Sequence, residues 1–225
     1  MLDYGFTEEQ TAIRDLARAI ADNEIRPVAA DYDQSGEFPW PIVHKLAEAD
    51  LYGVFVDEAY GGIAGGSRTL NMVLVTEELS KACGGVALAF AGSALGALPI
   101  ILGGSEEQKQ RFLPDVAAGT KLAAFALTEP QAGSDAAGIR MTAVRDGDDY
   151  VLNGTKIWIT GGGRRSSTPS SCSRTRQRGR AARASSSSRK AHPDFRSGRK
   201  KTRWESARRR RGSSSSRTAA CRPRT

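Results

Sequence analysis

The sequence predicts an α+β protein: an all-α helical N-terminal domain, the start of an antiparallel β-domain, and a disordered basic tail. Three observations predict this order. Apolar residues recur at helical spacing over about the first 120 residues. Short alternating segments joined by tight-turn residues follow. Arg and Ser then make up 33 of the 65 residues from 161 to 225. We place the domains at 1–120, 121–163 and 164–225.

The average charge of the chain hides a break near residue 160. The 225 residues carry 33 Lys and Arg against 25 Asp and Glu, a net charge of +8. Residues 1–160 hold 12 basic and 23 acidic side chains, a net of −11, and residues 161–225 hold 21 basic and 2 acidic ones, a net of +19. The tail has few large apolar side chains to bury. Burial therefore cannot offset its ordering entropy, and we expect it to be disordered.

Several classes of protein are excluded or disfavoured. Cys83, Cys172 and Cys221 have no spacing that fits a disulfide framework or a zinc ribbon, and two His disfavour a metal site, so we expect none. The N-terminus has no basic region followed by an apolar run, which predicts no signal or transit peptide and a cytoplasmic protein. The uncharged segment 86–102 is barely long enough to span a membrane and is interrupted by Gly, Ser and Pro. A helix buried in a bundle explains it better, so we expect no membrane span.

Five helices are predicted in the first domain. Thr7 with Gln10, and Ser105 with Gln108, have the capping-box spacing that starts a helix. Pro27 is expected to end the first helix. The predicted helices are 7–25, 41–49, 67–82, 86–102 and 105–118. Their inward residues are predicted to include Ile13, Leu16, Ala17, Ile20, Leu70, Val73 and Leu79.

The hydrophobic period changes after residue 121. The apolar run 122–128 is predicted to be a buried strand. Residues 140–145 and 150–152 alternate on either side of the turn signal D-G-D-D at 146–149, which predicts a hairpin. Asn153-Gly154 predicts a further tight turn before a strand at 155–160.

Polar residues are concentrated in residues 125–135, F-A-L-T-E-P-Q-A-G-S-D, which we call the TEP segment. Backbone amides around Gly133 and the hydroxyls of Thr128 and Ser134 can surround the polar edge of a cofactor. The alternative is a polar turn between two strands, which spacing alone favours.

The second candidate is residues 155–162, T-K-I-W-I-T-G-G. We call the overlapping residues 153–160, N-G-T-K-I-W-I-T, the WIT segment. Trp158 and Thr160 are two residues apart on the predicted strand and should face the same side. A flat indole beside a hydroxyl suits a planar heteroaromatic ligand. The alternative is a core Trp beside a surface Thr. Since both segments come just after the β-region begins, one shared site is favoured.

These segments resemble the signatures of the acyl-CoA dehydrogenases, flavoenzymes that introduce the 2,3 double bond into acyl-CoA thioesters. The TEP segment is similar to F-x-L-T-E-P-x-A-G-S-D, and the WIT segment is similar to N-G-x-K-x-W-I-T. The helical order, the Gly-rich loop at 60–66 and E-E-Q-K-Q-R-F-L-P at 106–114 also look like the family. The resemblance covers about residues 3–163. Two long motifs in the right order are far more specific than a lone Gly-rich loop.

The resemblance implies an FAD-dependent oxidoreductase of fatty acid β-oxidation that acts on a CH–CH group of acyl-CoA. It further implies that electrons pass to an electron-transfer flavoprotein, that the enzyme is a homotetramer, and that the β-region begins an antiparallel β-barrel domain. By resemblance the cofactor-binding residues are Phe125, Leu127, Thr128, Gly133, Ser134, Trp158 and Thr160.

The resemblance also implies a role for several of these residues. The Thr128 hydroxyl lies near the flavin pyrimidine edge, and Gly133 and Ser134 lie near the FAD pyrophosphate. Ser134 also meets the acyl-CoA. Trp158 packs against the isoalloxazine ring, and the Thr160 hydroxyl bonds flavin N5.

No catalytic residue is assigned. The family removes the α-proton with a Glu in a C-terminal helical domain that this sequence does not match. Glu129 belongs to the flavin loop and is a poor substitute. Loss of a general base costs roughly 10²–10⁴-fold in rate, so we expect a truncated and inactive form of the enzyme.

The resemblance stops abruptly after residue 163, and a frameshift explains the change. Synonymous codons can be chosen for residues 189–207 so that reading begins one base earlier, at the last base of the Ser188 codon. The shifted frame then gives E-K-G-T-P-G-L-P-V-G-K-K-E-D-K-M-G-I-R, which is similar to the family's continuation. In that frame the Arg-rich run becomes mixed in charge. The +19 tail would then be a product of the reading frame, and we expect no specific nucleic acid partner.

The alternative is a helical interaction module with a genuine basic tail that binds nucleic acid. A net charge of +19 binds phosphates through counterion release whatever its origin. Natural Arg/Ser domains repeat dipeptides, however, and this tail does not, so the frameshift is favoured.

Overall fold

The computed structural model of the protein describes residues 5–146, 149–162, 171–174, 184–187, 195–197 and 212–221. Helices come first and a sheet follows, which confirms the predicted α+β class. In chain order the elements up to residue 162 are α1 (Glu8–Ile20), α2 (Ala29–Ser35), α3 (Trp40–Glu48), α4 (Arg68–Gly103), α5 (Glu106–Ala117), β1 (Thr142–Asp146) and β2 (Asp149–Ile159).

Capping boxes start α1 and α5, as predicted. The Thr7 hydroxyl accepts from the Gln10 amide at 3.1 Å, and the Gln10 side chain accepts from the Thr7 amide at 3.1 Å. Ser105 and Gln108 form the same reciprocal pair before α5. Each box satisfies two N–H groups that a helix end otherwise leaves without partners.

The predicted end of the first helix at residue 25 is confirmed, but Pro27 does not stop the helical turns that follow. The chain passes through a π-helical turn at Ala21–Ile25 and a 3₁₀ turn at Arg26–Val28, and then continues as α2. Pro27 is tolerated because it lies in the first turn of its own short element, where a missing N–H costs little.

The long helix α4 consists of the two predicted helices, which meet at Cys83. This residue has a non-helical backbone, with φ −160° and ψ 111°, so the chain bends just before two glycines. By length and composition α4 is apolar enough to cross a membrane, and 56% of its most apolar window is buried in the fold. That burial identifies it as the central helix of the helical domain.

The core lies between α1, α3, α4, α5 and the 3₁₀ turn Leu51–Phe55. Ile13, Ala17 and Leu79 are buried in it, as predicted. Leu16, Leu70 and Val73 were predicted to point inward but are exposed. On the first part of α4 the buried stripe is shifted by one residue, because Asn71 and Glu78 occupy it: Glu78 accepts from Arg18, and Asn71 Nδ2 donates to the Ala64 carbonyl oxygen, while Asn71 Oδ1 is buried without a partner among the described residues.

The predicted hairpin is present. Strands β1 and β2 are antiparallel, with Thr142 opposite Asn153 and Asp146 opposite Asp149. The two turn residues between Asp146 and Asp149 lie outside the described residues.

Two predictions for the β-region are wrong. Residues 122–128 join no sheet among the described strands, since no neighbouring strand supplies a hydrogen-bonding ladder. Asn153-Gly154 does not turn the chain but lies inside β2, at a shift in register. A Cβ on Gly154 would come within 2.7 Å of the Met141 side chain, so glycine serves close approach here.

Four segments of the predicted tail are strands: β3 (Ser171–Arg174), β4 (Ala184–Ser187), β5 (Phe195–Ser197) and β6 (Gly212–Cys221). The sheet order is β1-β2-β6-β5, with β3 and β4 paired separately. This differs from the disorder predicted for 164–225. Strand β2 pairs with β1 on one side and with β6 on the other, so β6 satisfies backbone groups that β1 leaves without partners. For the rest of the tail, the prediction lies outside the described residues.

Candidate functional site

The TEP and WIT segments meet through hydrogen bonds between residues far apart in sequence. The Ile157 amide donates to the Thr128 carbonyl oxygen at 2.8 Å. The Lys156 ammonium donates to the Leu127 carbonyl oxygen at 2.8 Å. The prediction that both segments contribute to one place in the fold is therefore supported by direct contacts.

A buried ion pair holds this crossing together. Lys156 Nζ lies 2.8 Å from Glu129 Oε1, and the two side chains are only 5% and 2% exposed. Glu129 Oε1 also accepts from the Met141 amide, and Oε2 accepts from the Arg140 amide and the Gln131 side chain. A carboxylate offers about four acceptor sites, so the four donors leave Glu129 fully satisfied.

The environment keeps Glu129 ionised. Burial alone raises the pKa of a carboxyl group, but the hydrogen bonds from Lys156, Arg140 and Met141 outweigh burial and hold the pKa of Glu129 below its ordinary value. An ionised carboxylate with four partners fixes the turn of the TEP segment. Neither its position nor its pKa suits proton abstraction from a ligand.

The strand-like part of the TEP segment presents polar groups without partners. The N–H groups of residues 124–128 make no hydrogen bond to any described residue, although this stretch is half-buried. Among the described residues, the Thr128 hydroxyl also has none. Half-buried backbone donors usually find a partner. A ligand with acceptors along one edge would satisfy those N–H groups that face it.

Trp158 sits at an irregularity in the WIT segment. Its backbone has φ +60°, rare for a bulky residue, and the register of β2 shifts between Lys156 and Ile159. Lys156 and Ile159 are both buried while Trp158 is 37% exposed, so the predicted strict alternation does not hold. Strain of this kind is typical of functional sites. Part of the Trp158 indole therefore reaches the surface at this irregularity.

Thr160 lies just beyond the end of β2, in a turn, and packs against α4. Strand β2 ends at Ile159, so the strand alternation that predicted a shared face for Trp158 and Thr160 does not reach Thr160. A Cβ built on Gly92 would lie 2.8 Å from Thr160 Cγ2, so the glycine permits this contact. Within the described part of the chain, the Thr160 hydroxyl makes no hydrogen bond.

Helix α4 also supports the start of the TEP segment. Ser93 Oγ accepts from the Ala123 amide at 3.1 Å. A Cβ on Gly96 would come within 2.5 Å of the Ala124 nitrogen. Residues 92, 93 and 96 thus place both segments against one face of the same helix.

Gly133 and Ser134 lie in the exposed part of the TEP segment. A Cβ on Gly133 would meet nothing within 4 Å, so space is open beside this loop. The structure brings Leu127 and Thr128 to the WIT segment, but no described contact joins Gly133 or Ser134 to it. Their predicted roles, and that of Phe125, stay predictions.

Sequence reasoning missed two residues that organise the site, Gly92 and Lys156. It also missed the structural role of Glu129. A buried lysine cannot be recognised from strand periodicity, and Gly92 lies in a helix read only as apolar. A charged residue in each segment was the one available signal. Among the described residues, no group of three or more His, Cys, Asp or Glu is placed to hold a metal ion.

Comparison with known families gives two matches. The family of acyl-CoA dehydrogenase N-terminal domains matches residues 7–120, and the family of acyl-CoA dehydrogenase middle domains matches residues 124–204. The second match runs past residue 163, where the sequence motifs had ended the resemblance.

Curated relatives match the same part of the chain. A probable acyl-CoA dehydrogenase of Bacillus subtilis is 44% identical over 160 residues, which is 71% of this chain and 42% of the relative. The short-chain specific acyl-CoA dehydrogenase of Clostridium acetobutylicum is 43% identical over 164 residues, which is 72% of this chain and 42% of the relative. The chain therefore spans about two fifths of the length of these relatives.

Solved structures share the fold. The butyryl-CoA dehydrogenase of Megasphaera elsdenii superposes with a TM-score of 0.81 at 28% identity, over 97% of this chain and 58% of that one. An acyl-CoA dehydrogenase of Bacillus anthracis, solved in complex with FAD, gives a TM-score of 0.80 at 30% identity, over 98% of this chain and 37% of that one.

Proposed function

We propose, because this chain belongs to the acyl-CoA dehydrogenase family, that its TEP and WIT segments form one side of an FAD site. The observation that carries the proposal is the meeting of these segments at Thr128 and Ile157, with the N–H groups of residues 124–128 left without described partners. The FAD bound to the Bacillus anthracis relative supports the choice of cofactor.

The residues present fit a flavin. A flavin has a planar ring and a polar pyrimidine edge with carbonyl oxygens and ring nitrogens. The Thr128 hydroxyl, together with those N–H groups of residues 125–128 that face the same side, supplies donors suited to that edge. Trp158, which is 37% exposed, supplies an indole of the kind that packs against a planar ring. The Thr160 hydroxyl would donate to flavin N5, as the family resemblance implies.

The proposed reaction is α,β-dehydrogenation of an acyl-CoA thioester, with electrons passed on to an electron-transfer flavoprotein by a homotetramer. When bound, FAD supplies the hydride acceptor. This chain's own residues would orient the ring, stabilise negative charge at its pyrimidine edge and exclude water from it. Ser134 would contact the acyl-CoA. Relatives named for acyl-CoA substrates support this assignment.

Removal of the α-proton needs a base that the described residues do not provide beside the site. The TEP segment has two acids: Glu129, whose four acceptor sites are already used, and Asp135, which accepts from the Gly138 amide of its own turn. We therefore expect a polypeptide of this sequence to bind FAD weakly and not to turn over acyl-CoA.

We further propose that residues 164–225 are read out of frame. The shifted reading of 189–207, which resembles the family's continuation, supports this. The middle-domain family, in contrast, matches the chain as far as residue 204 in the reading frame given, without a frameshift. The coding DNA around codons 160–166 decides the question, since an inserted or deleted base must lie there. An uninterrupted frame in independently determined DNA would remove this proposal.

The function is tested with the purified full chain. We expect FAD to bind, as followed by quenching of flavin fluorescence, and no acyl-CoA-dependent reduction of a dye. Absence of any FAD binding would contradict the site, and rapid dye reduction would contradict the expected inactivity. Sequence-selective RNA binding lost on deletion of 164–225 would instead favour the basic-tail alternative.

A further inference from the structure

We infer that Gly92, in the middle of α4, is a positioning residue for the hydroxyl of Thr160. The inference rests on the proposed function, because FAD is the group that this hydroxyl would meet. It assigns to the helical domain a direct part in shaping the flavin site, through a residue that carries no functional group.

Thr160 lies closer to the backbone of Gly92 than it could if residue 92 had a Cβ atom. Gly92 is buried, and a Cβ added to it would lie 2.8 Å from Thr160 Cγ2 and 3.4 Å from Thr160 Cβ. Contacts below 3.0 Å are essentially never seen for a real Cβ, so Thr160 would have to move. The methyl group of Thr160 is therefore seated directly on the helix backbone.

This seat fixes the hydroxyl, because Cγ2 and Oγ1 share the same Cβ and one χ1 angle sets both. With the methyl held against Gly92, the hydroxyl has one preferred rotamer. The hydroxyl makes no hydrogen bond to a described residue, so the helix contact determines its direction. A displacement of about 1 Å near a reacting group can cost roughly 10²-fold in function.

The local surroundings leave Thr160 little room to yield. Ser93 and Gly96 of the same helix contact residues 123 and 124, which lie directly before the TEP segment. Ile159, next to Thr160, is buried. A Cβ at position 92 would therefore force the Thr160 side chain to rotate or to shift away from the helix, and either change moves the hydroxyl relative to the TEP segment.

The contact suggests an experiment in which one mutation repairs another. Gly92→Ala adds the clashing Cβ, and Thr160→Ser removes the methyl group while keeping the hydroxyl. The full chain is compared as parent, both single variants, the double variant and Gly84→Ala. Gly84 lies in the same helix, and a Cβ there meets nothing within 4 Å. Each protein is measured for Tm and for FAD binding by flavin fluorescence, at a temperature at which all are folded.

We expect Gly92→Ala to lower Tm by about 4 °C or more and to weaken FAD binding about tenfold or more. In the Thr160→Ser background, Gly92→Ala should lower Tm and weaken FAD binding by less than a third as much, because the clashing methyl group is gone. The absorption spectrum of bound FAD should shift in Gly92→Ala and return towards that of Thr160→Ser in the double variant. Gly84→Ala should change neither binding nor spectrum.

The outcomes separate the inference from the function on which it rests. Additive effects in Tm and FAD binding would overturn the inference while leaving FAD binding by the parent intact. Coupling in Tm without any FAD binding by the parent would contradict the proposed function while leaving the packing contact established. Coupling in Tm with unchanged FAD affinity and spectrum would overturn the positioning role.

Discussion

Lys156 and Glu129, which are 27 residues apart in sequence, form a buried ion pair between the two segments, with Nζ 2.8 Å from Oε1. Lys156 also donates to the Leu127 carbonyl oxygen, so its ammonium group holds the WIT segment to two residues of the TEP segment. A buried pair costs desolvation energy, and its value lies in fixing one arrangement of the backbone.

Breaking this pair should be costly. Lys156→Met leaves an ionised carboxylate buried with no counter-charge, which we expect to destabilise the fold by roughly 3–5 kcal/mol. Urea unfolding at pH 7 measures the loss. The double variant Glu129→Gln/Lys156→Met should recover part of it, since no uncompensated charge remains.

A matched control uses an exposed pair. Lys45 lies 2.6 Å from Glu24, with side chains 44% and 37% exposed. Lys45→Met should cost at most about 1 kcal/mol. Equal losses for Lys45→Met and Lys156→Met would contradict the importance of burial.

Acid should weaken the helical domain through Glu78. The Arg18 hydrogen bond, assisted by Lys81, outweighs burial and lowers the pKa of Glu78 from 4.5 to about 2. A lowered folded-state pKa stabilises the protein above pH 4.5, and this contribution is lost as pH falls from about 4.5 to 2. Glu78→Gln should cost about 1.5–3 kcal/mol at pH 7, and the gap to the parent should close over that range.

Unfolding free energies at several pH values test this. Glu77→Gln is the control, because the Glu77 side chain is 60% exposed and its partner Lys81 is 3.3 Å away. That variant should track the parent at every pH. A gap between Glu78→Gln and the parent that does not depend on pH would contradict the assignment.

The two capping boxes should contribute comparable amounts of stability. Thr7→Ala and Ser105→Ala each remove the acceptor for an orphan amide, and we expect each to cost about 1 kcal/mol. Thermal unfolding measures the loss. Ser80→Ala, at an exposed position inside α4, should have no destabilising effect. Indifference to both cap changes would contradict the observed hydrogen bonds.

Gly96 should tolerate alanine less well than Gly84. A Cβ at position 96 meets backbone atoms of Ala123 and Ala124 at 2.5–2.6 Å, and backbone cannot rotate away. We expect Gly96→Ala to cost about 1–3 kcal/mol or more. Gly84→Ala should be neutral or slightly stabilising, since alanine favours helix. Stability curves of the two variants that coincide would contradict the close crossing.

Much of the helical domain could be predicted from sequence, because its signals are local. The caps at Thr7 and Ser105, and the break near Cys83, depend on residues within one or two helical turns. The inward assignment of Leu70 and Val73 failed, since apolar spacing alone cannot show that a hydrogen-bonded Glu78 takes the buried stripe.

The candidate site was harder to predict. Its motif letters located both segments, and the hairpin turn signal gave the pairing of β1 and β2. The irregularity at Trp158 and the bulge at Gly154 were not predicted, because register shifts depend on what neighbouring elements require of the strand.

By itself, the sequence determined the order of helix and sheet, the capped starts of α1 and α5, and the residue types that resemble a flavin site. These are local choices of backbone and hydrogen bonding, repeated along the chain. Only the tertiary structure decided that Glu129 is a structural anion, that Lys156 is buried, and that Thr160 rests on Gly92. Those facts come from contacts between distant residues, in which burial and close approach change what a carboxylate, an ammonium or a glycine does.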